Sequence, residues 1–457
     1  MSFPVGPKMP SALATYRLIK TPNRLLASCH EQYGDTFTLR LLRPGKVVFV
    51  SHPNAVQELF TTLAKKLLAG QANSFLSPFL GENSVLLLDG PRHARQRRLM
   101  LPSFHGDKMK MFGNLMRDTA YQTIQTWKPG ETVMIRQEMQ AITLRVIVES
   151  IFGSDMSRRT PEIIELVRGT LNIPTLITFL PFLRVNLGPW SKWGRFLAWR
   201  NRLDKLLFGE IALRRANPPA EPRDVMDMLM AAVDEDGSKM SDQEVRDELI
   251  TLMLAGHETT ALSLTWAFAT LLKNQDILEK LKKELSDVVG DRAVSLDDLP
   301  RLKYLDATIK ESMRMNLLFP IILRKAAEPV SIDGYDIPEG AGVAAATYVT
   351  HHREDVYSDP YAFKPERWLN GQIHQFAWFP FGGAPRRCLG MAFAIFEMNL
   401  ILASIIPHVQ MELIPNQDLT PTRMGLALAP PSGVRVRITA NPVDHLSHEK
   451  VVQMTAQ

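Results

Sequence analysis

The chain has 457 residues, of which 45% are hydrophobic and 22% charged, and its formal net charge is +5 with a pI near 9.1. This composition is typical of a globular protein with a large core and excludes a disordered chain. The charge is too small for this length to require a nucleic-acid partner. Cys29 and Cys388 are the two cysteines and lie far apart, so we expect no disulfide framework and favour a reducing, cytoplasmic location.

The hydrophobic pattern predicts a mainly α (α+β) fold, with a large helical region that contains a long central helix and a small β-rich region. In chain order we predict a proline-rich lead-in at 1–30, a hairpin of Thr36–Leu42 and Lys46–Val50, mostly helices over 54–320, strand-like segments over Ser331–Val349, an irregular ordered segment over 350–388, short strands over 408–440 and a tail at 441–457. The apolar run Leu389–Ile406 is interrupted by Glu397 and Asn399, so we expect a helix buried in protein rather than a membrane span.

The segment Gly90–Arg98 is strongly basic, with four arginines and a histidine in seven residues. A solvated basic face is the ordinary interpretation of such a run. A nucleic-acid patch is disfavoured because no aromatic residues are interleaved. If the segment is helical, His93 and Arg97 lie one turn apart on one face and can bind a pair of carboxylates.

The segment Leu171–Trp199 combines prolines with tryptophans, namely Pro174, Pro181, Pro189, Trp190, Trp193 and Trp199. We predict a lid that opens for substrate access. Its tryptophans are suited to a membrane surface, although the sequence shows no membrane anchor.

A capping-box pattern at Ser241 and Glu244 predicts the start of a long helix that ends near Lys273. At 1.5 Å per residue this helix is ~50 Å long and can cross the whole molecule.

The stretch Leu254–Thr260 lies in the middle of this helix and reads LAGHETT. A surface turn with a salt-bridged glutamate explains these residues about as well as a groove that binds dioxygen. In the second interpretation, the small Ala255 and Gly256 leave room for dioxygen. A threonine hydroxyl of the pair then hydrogen-bonds the oxygen, and Glu258 relays protons.

Glu311 and Arg314 lie on one helix face at a spacing of three residues. Such pairs occur in many helices and are worth little at a surface, so this pair alone indicates no function.

Cys388 lies in a glycine-rich turn, FGGAPRRCLG over 381–390, directly before an apolar stretch. A lone cysteine is usually a buried structural residue. Here Gly382 and Gly383 let the backbone approach a flat ligand, and the start of a helix stabilises a thiolate. Arg386 can bind a separate anion. An iron porphyrin with propionate groups requires such a thiolate and such an arginine.

The turn resembles the haem-ligand signature of the cytochromes P-450, F-x-x-G-x-R-x-C-x-G. Phe381, Arg386, Cys388 and Gly390 match, and Ala384 stands where the family usually has glycine.

The other motifs extend the resemblance. Leu254–Thr260 is similar to the family's A-G-x-[DE]-T-T, and Glu311 with Arg314 is similar to its E-x-x-R, whose partner would be Arg367 in Pro365-Glu366-Arg367-Trp368. On these motifs the chain is identified as a member of the cytochrome P-450 superfamily of haem-thiolate monooxygenases. It looks closest to the soluble bacterial members related to fatty-acid and terpenoid hydroxylases. The resemblance implies one haem domain over 31–440.

The resemblance also implies roles for individual residues, with haem b as the cofactor and Cys388 as the axial ligand of its iron. Phe381 and Gly390 would pack around the sulfur. The other implied groups are propionate binding by His93, Arg97, Arg324 and Arg386; an alcohol–acid pair of Thr259 and Glu258; a structural ion-pair cluster of Glu311, Arg314 and Arg367; and an apolar substrate pocket that includes Ala255, Ile321, Ile322 and Leu426.

The implied reaction is hydroxylation of an apolar or amphipathic small molecule by dioxygen. Because no flavin or nicotinamide signature is present, electrons must come from separate proteins, for which a ferredoxin and its reductase are expected. A basic face of Arg92, Arg95, Arg98 and Arg387 would bind this acidic donor. A peroxide-driven hydroxylase and a non-catalytic haem sensor or carrier are the alternatives, and the presence of Glu258 and Thr259 argues against both.

Overall fold

The computed structural model describes residues 3–104, 106–153, 160–171, 177–178, 183–371 and 373–441. The helices are α1 (Ser11–Lys20), α2 (Pro22–Tyr33), α3 (Pro53–Phe60), α4 (Ala69–Ala72), α5 (Ser77–Leu80), α6 (Gly90–Met100), α7 (Asp107–Lys110), α8 (Gly113–Ile124), α9 (Ile135–Phe152), α10 (Thr160–Leu171), α11 (Lys192–Ala216), α12 (Val225–Ala231), α13 (Asp242–Lys273), α14 (Gln275–Val288), α15 (Lys303–Met315), α16 (Thr347–His351), α17 (Arg367–Asn370) and α18 (Met391–Ile405). The strands are β1 (Thr36–Arg40), β2 (Lys46–Val50), β3 (Leu67–Leu68), β4 (Thr132–Met134), β5 (Ile322–Ala326), β6 (Val330–Ile332), β7 (Tyr335–Ile337), β8 (Gly342–Ala345), β9 (Gln410–Leu413), β10 (Thr422–Met424), β11 (Ala427–Ala429) and β12 (Arg435–Ala440).

Helix α13 is the long helix that the sequence predicts, and it packs against α9, α15 and α18. Its first turn is capped in both directions: the backbone N–H of Glu244 donates to the Ser241 hydroxyl, and the Glu244 carboxylate accepts from the backbone N–H of Ser241. Most of its side chains between Val245 and Leu272 are buried, whereas Asp242, Gln243 and Lys273 at its two ends are exposed. The helix therefore forms the axis on which the site is built.

The predicted hairpin is also present. Strands β1 and β2 pair antiparallel from Thr36 opposite Val50 to Arg40 opposite Lys46. They belong to a five-stranded sheet in the order β1-β2-β8-β5-β3, in which β2 and β8 are parallel. A second sheet has the order β4-β12-β9, and β6–β7 and β10–β11 are separate pairs.

Helices α1 and α2 lie within or overlap residues 1–30, the segment that the sequence predicts as a proline-rich lead-in. Leu18, Leu25 and Leu26 are buried against Phe37 and Phe49 of the five-stranded sheet. Apolar residues at helical spacing explain this packing, and the prolines are confined to the first ten residues and to the start of α2. Residues 442–457 of the predicted tail, and 172–176 and 179–182 of the predicted lid, lie outside the described residues.

Helix α18 is buried along most of its length, as predicted for Leu389–Ile406. Within the described ranges, no helix combines the length and apolarity that crossing a membrane requires.

Candidate active site

Cys388 lies at the end of a tight turn, two residues before the N-cap of α18. Its backbone N–H donates to the carbonyl of Phe381 at 2.8 Å. The residue is exposed on its open side, yet protein surrounds the sulfur closely enough that desolvation raises the pKa of the thiol. The backbone N–H of Gly390 and the charge of Arg97 act in the opposite direction and favour the thiolate. These donors suit a sulfur that is to bind a cation such as iron.

Ala384 occupies a left-handed backbone conformation, with φ of 48°. This region costs an L-residue other than glycine roughly 1–2 kcal/mol, which explains why glycine suits the position. In this chain the turn keeps its shape through hydrogen bonds from Arg386 N to Gly383 O and from Arg387 N to Ala384 O. Alanine therefore strains the turn without altering its course.

Four basic side chains converge beside the turn. Burial, followed by the charges of Arg386, Arg97 and Arg324, lowers the pKa of His93 to about 4. Burial and the charge of Arg386 lower the pKa of Arg324 to about 10. Asp89, which accepts a hydrogen bond from Arg386, opposes both shifts. These cations disfavour one another's charge, and a pair of bound carboxylates would relieve the repulsion. The cluster thus fits the two propionates of a haem.

The loop 81–89 is attached to α13 on one side. The backbone N–H of Asn83 donates to Asp247 at 3.0 Å, and that of Val85 donates to Glu248 at 2.7 Å. The Thr251 hydroxyl donates to that of Ser84 at 2.7 Å. Burial raises the pKa of Glu248 to about 8, so this side chain is mostly protonated at neutral pH.

Arg386 holds the opposite side of the same loop. Its guanidinium donates to the carbonyls of Val85 and Leu88 and to the Asp89 carboxylate. The loop is therefore fixed between α13 and the cysteine turn.

Ala255 is exposed in the middle of α13, and its neighbours Leu254, Gly256, Glu258 and Thr259 are only partly buried. The Thr259 hydroxyl donates to the Ala255 carbonyl at 2.6 Å, so its oxygen lone pairs stay free to accept. Glu258 points towards α9 and accepts from Gln140 Nε2 at 3.0 Å, and burial raises the pKa of its carboxyl. α13 and α9 approach closely at Gly256, since a Cβ there would lie 3.2 Å from the Ile147 side chain.

The predicted pocket residues lie in segments that approach one another. A Cβ on Gly382 of the cysteine turn would lie 3.9 Å from the Ile322 side chain. Leu428 of β11 donates its N–H to the carbonyl of Leu318 at 2.9 Å, just before Ile321. Leu426 is 36% exposed at the β10–β11 turn. These contacts place the Ile321–Ile322 segment beside both the cysteine turn and the β10–β11 pair.

The structure brings Glu311, Arg314 and Arg367 together in the interior. Arg314 donates twice to Glu311 at 2.9 Å, and Arg367 donates to it at 2.9 Å. Both Glu311 and Arg314 are 0% exposed. Lys364 N and Trp368 Nε1 complete the carboxylate's shell, so Glu311 binds the irregular segment that precedes the cysteine turn.

The predicted basic face of four arginines must be corrected. Arg95 pairs with Asp234 and Glu244, and Arg98 pairs with Asp234 and Glu235. Acidic residues from the loop before α13 and from its first turn therefore neutralise these two cations, while Arg92 donates to Asn83.

Arg387, in contrast, lines an open cavity of about 760 Å³ beside Cys388, together with Arg97 and Lys303. No residue of α13 lines this cavity, so it lies away from the groove at Ala255 and Thr259. Its apolar lining includes Trp368, Leu369, Met391 and Phe396.

Three further residues belong to the site although no sequence motif assigns them a role, namely Gln140, Asp89 and Glu397. Glu397 of α18 is 2% exposed, and burial raises the pKa of its carboxyl well above the usual value, while a hydrogen bond with Thr260 lowers it only in part. This neutral acid links α18 to α13 beside Thr259. Its position inside an apolar run was a usable signal, whereas nothing in the sequence singles out Gln140 or Asp89.

Comparison with known proteins agrees with this geometry. The sequence profile of the cytochrome P-450 family matches residues 4–437. A Mycobacterium tuberculosis protein that carries the name cytochrome P-450 135B1 is 33% identical over 445 residues, which cover 96% of this chain and 92% of the relative. Cytochrome P-450 138 of the same species is 32% identical and covers 94% of each chain.

Solved structures show the same fold. Cyanobacterial CYP120A1, solved with bound retinoic acid, has a TM-score of 0.85 at 25% identity and covers 96% of this chain and 99% of its own. A second cytochrome P-450 haem domain has a TM-score of 0.85 at 22% identity and supports the fold alone. The chain therefore belongs to the cytochrome P-450 superfamily, as a bacterial-type, haem-dependent monooxygenase that uses haem b.

Proposed function

We propose that this monooxygenase hydroxylates an apolar or amphipathic small molecule of the fatty-acid or terpenoid class. The observation that carries the proposal is the position of the apolar residues Ile321 and Ile322, which lie between the cysteine turn and the β10–β11 pair that contains Leu426 at its turn. The similarity to CYP120A1 supports it, because retinoic acid is an apolar terpenoid acid. Screening fatty acids and terpenoid acids for a substrate-induced shift of the haem absorption spectrum tests this class; shifts only with polar compounds would refute it.

Bound haem b supplies the redox centre at which dioxygen is activated. The chain's own residues do the rest. Cys388 would bind the iron through its sulfur, and His93, Arg97, Arg324 and Arg386 would bind the propionates. The small Ala255 side chain would leave room for dioxygen, and the apolar pocket would exclude water.

We propose that Thr259 and Glu258 deliver protons to the site where dioxygen reacts. Thr259 Oγ1 donates to the Ala255 carbonyl, so it can accept a proton or hydrogen bond from the groove. Glu258 has a raised pKa and can therefore hold a proton closer to neutral pH than an exposed glutamate can. Gln140 positions the Glu258 carboxyl.

We expect Thr259→Ala to uncouple the oxidation of the electron donor from product formation. General acid–base catalysis contributes ~10²–10⁴-fold, so the ratio of product to donor consumed should fall by at least about tenfold. Thr260→Ala is the matched control, because Thr260 is buried beside Glu397 rather than open to the groove. Full coupling in Thr259→Ala would contradict the relay.

The same assay separates the alternatives. A peroxide-driven hydroxylase would form product with peroxide and without an electron donor, and a haem sensor or carrier would form none with either. Dependence on the donor, with loss of coupling in Thr259→Ala, distinguishes the proposed monooxygenase from both.

The electron donor is proposed to be a small acidic protein such as a ferredoxin, served by its own reductase. Arg387 and Lys303 are exposed at the cavity beside Cys388, where apolar side chains such as Leu369 accompany them. This combination suits an acidic partner that must approach the protein on the side of Cys388.

The two free cysteines, Cys29 and Cys388, are consistent with the reducing cytoplasm that we propose as the location.

Neutralising Arg387 should weaken this contact. We expect Arg387→Gln to slow reduction by the donor severalfold at low salt, with a smaller difference at high salt, because screening shortens electrostatic range. Arg98→Gln is the matched control, since Arg98 is exposed but paired with Asp234. Equal effects of the two substitutions on the reduction rate would place the donor site elsewhere.

A further inference from the structure

An apolar loop projects from the molecule immediately before α11. Leu183, Val185, Leu187 and Trp190 are 38%, 52%, 64% and 91% exposed. Single exposed apolar residues are ordinary on protein surfaces, but a group of them within eight residues is not. This group therefore indicates a surface that contacts something other than water.

The loop is ordered by its own hydrogen bonds. Ser191 Oγ accepts from the backbone N–H groups of Leu187 and Gly194, each at 3.0 Å, and Asn186 accepts from Gly188 N at 3.0 Å. A Cβ on Gly194 would lie 2.0 Å from the Gly188 carbonyl, so the loop packs tightly on the start of α11. The backbone thus holds the apolar side chains outward.

The three tryptophans of the segment have different environments. Trp193 packs against Phe79 and Phe196, with ring centroids 5.9 and 4.9 Å away. Trp199 packs against Gly169 of α10, where a Cβ would lie 2.3 Å from the indole. These two belong to the interior packing, so Trp190 remains as the tryptophan at the surface.

The charges around this loop indicate what it contacts. Residues 166–203 contain no aspartate or glutamate, and their exposed cations are Arg168, Lys192, Arg195 and Arg202. Arg184 packs on Phe79 and Trp193, and Arg200 pairs with Asp204. Lys192 and Arg195 are exposed on the first turn of α11, directly after Trp190. Exposed apolar side chains flanked by lysine and arginine, with a tryptophan among them, match the interface of an anionic bilayer.

We propose that residues 183–195, the loop and the first turn of α11, bind reversibly to the surface of anionic lipid bilayers. The loop side chains would insert among the headgroups and acyl chain ends, and Lys192 and Arg195 would contact lipid phosphates. Because neither signal alone gives firm binding, the protein should exchange between the membrane and water. The proposal does not depend on the substrate class or on the reaction.

Vesicle flotation with the haem-loaded full chain tests it. The wild type should float with phosphatidylglycerol-containing vesicles, float less with pure phosphatidylcholine, and bind less at 1 M salt than at 0.1 M, because the Debye length falls from ~10 to ~3 Å. Leu187→Ser should weaken binding about tenfold, since removing a buried leucine side chain costs roughly that much affinity. Leu213→Ser is the matched control, a leucine that is 59% exposed at the other end of α11.

Fluorescence locates the contact. Lipids brominated in the acyl chain should quench tryptophan fluorescence in the wild type. Trp190→Phe should remove most of this quenching while flotation is largely retained, because phenylalanine is also apolar. Lys192→Glu combined with Arg195→Glu should abolish the preference for anionic vesicles.

Three results would overturn the proposal: no flotation with anionic vesicles, equal losses in Leu187→Ser and Leu213→Ser, or quenching unchanged in Trp190→Phe. A Trp190-dependent dimer in solution, with no vesicle binding, would assign the surface to a second copy of the chain and would equally overturn it. Haem content and donor-dependent turnover are measured separately, so failure here leaves the proposed function standing, and the reverse also holds.

Discussion

Replacing Cys388 by alanine should abolish the red-shifted Soret band that the reduced protein shows with carbon monoxide, because that band reports sulfur bound to haem iron. The turn around Cys388 keeps its hydrogen bond from the residue 388 backbone N–H to Phe381 O, so the variant should still fold. Circular dichroism close to that of the wild type would show that the loss is local. Monooxygenase activity should fall to background.

Cys29→Ala is the matched control for this substitution. Cys29 is 3% exposed and packs in α2 against the five-stranded sheet, and burial raises the pKa of its thiol to about 11. This variant should keep the shifted band, with at most a modest loss of stability from the missing sulfur. A shifted band in Cys388→Ala, or its loss in Cys29→Ala, would refute the assignment of the ligand.

Glu311→Ala should yield little or no haem-loaded protein. The substitution leaves Arg314 fully buried and Arg367 without their shared carboxylate, and removing one partner of a buried ion pair costs ~3–5 kcal/mol. That is a large share of the ~5–15 kcal/mol by which a folded domain is stable. The ratio of Soret to protein absorbance in purified material measures the outcome.

Glu279→Ala is the comparison, because Glu279 makes an ion pair of the same spacing with Lys282 but is exposed. Its haem content should match the wild type, since exposed pairs contribute ~0–1 kcal/mol. Burial disfavours the charged form of Glu311, but the hydrogen bonds and charges of Arg314 and its neighbours outweigh this and lower its pKa. The stabilisation is therefore present at neutral pH and lost as the pH falls through the lowered pKa. Equal haem content in Glu311→Ala and Glu279→Ala would contradict the structural role.

The sequence predicts the parts of this fold that depend on local signals. The capping box and the apolar periodicity are sufficient for α13, and strand pattern with a Pro-Gly turn is sufficient for the β1–β2 hairpin. Helices α1 and α2 are harder to predict, because proline and glycine at the N-terminus mask the helical spacing of Leu18, Leu25 and Leu26.

Contacts between distant segments are harder to predict. That Arg95 and Arg98 are neutralised follows from Asp234 and Glu244, about 140 residues away, which no local pattern reveals. Gln140 lies beside Glu258 for the same reason. A lone glutamate in an apolar run, such as Glu397, is the exception, because an unexplained charge in a buried helix is visible in the sequence itself.

The loop 81–89 is attached on two sides, and this affects how substrates and products can reach and leave the site. Each of its hydrogen bonds to Asp247, Glu248, Thr251 and Arg386 contributes ~1 kcal/mol, and swinging the loop outward would break them together and strand buried carboxyl groups. We therefore expect the loop 81–89 to stay in place during the catalytic cycle. We expect substrates and products to enter and leave past other segments, and their exchange rates to be insensitive to mutations that loosen only the exposed tip at Leu86.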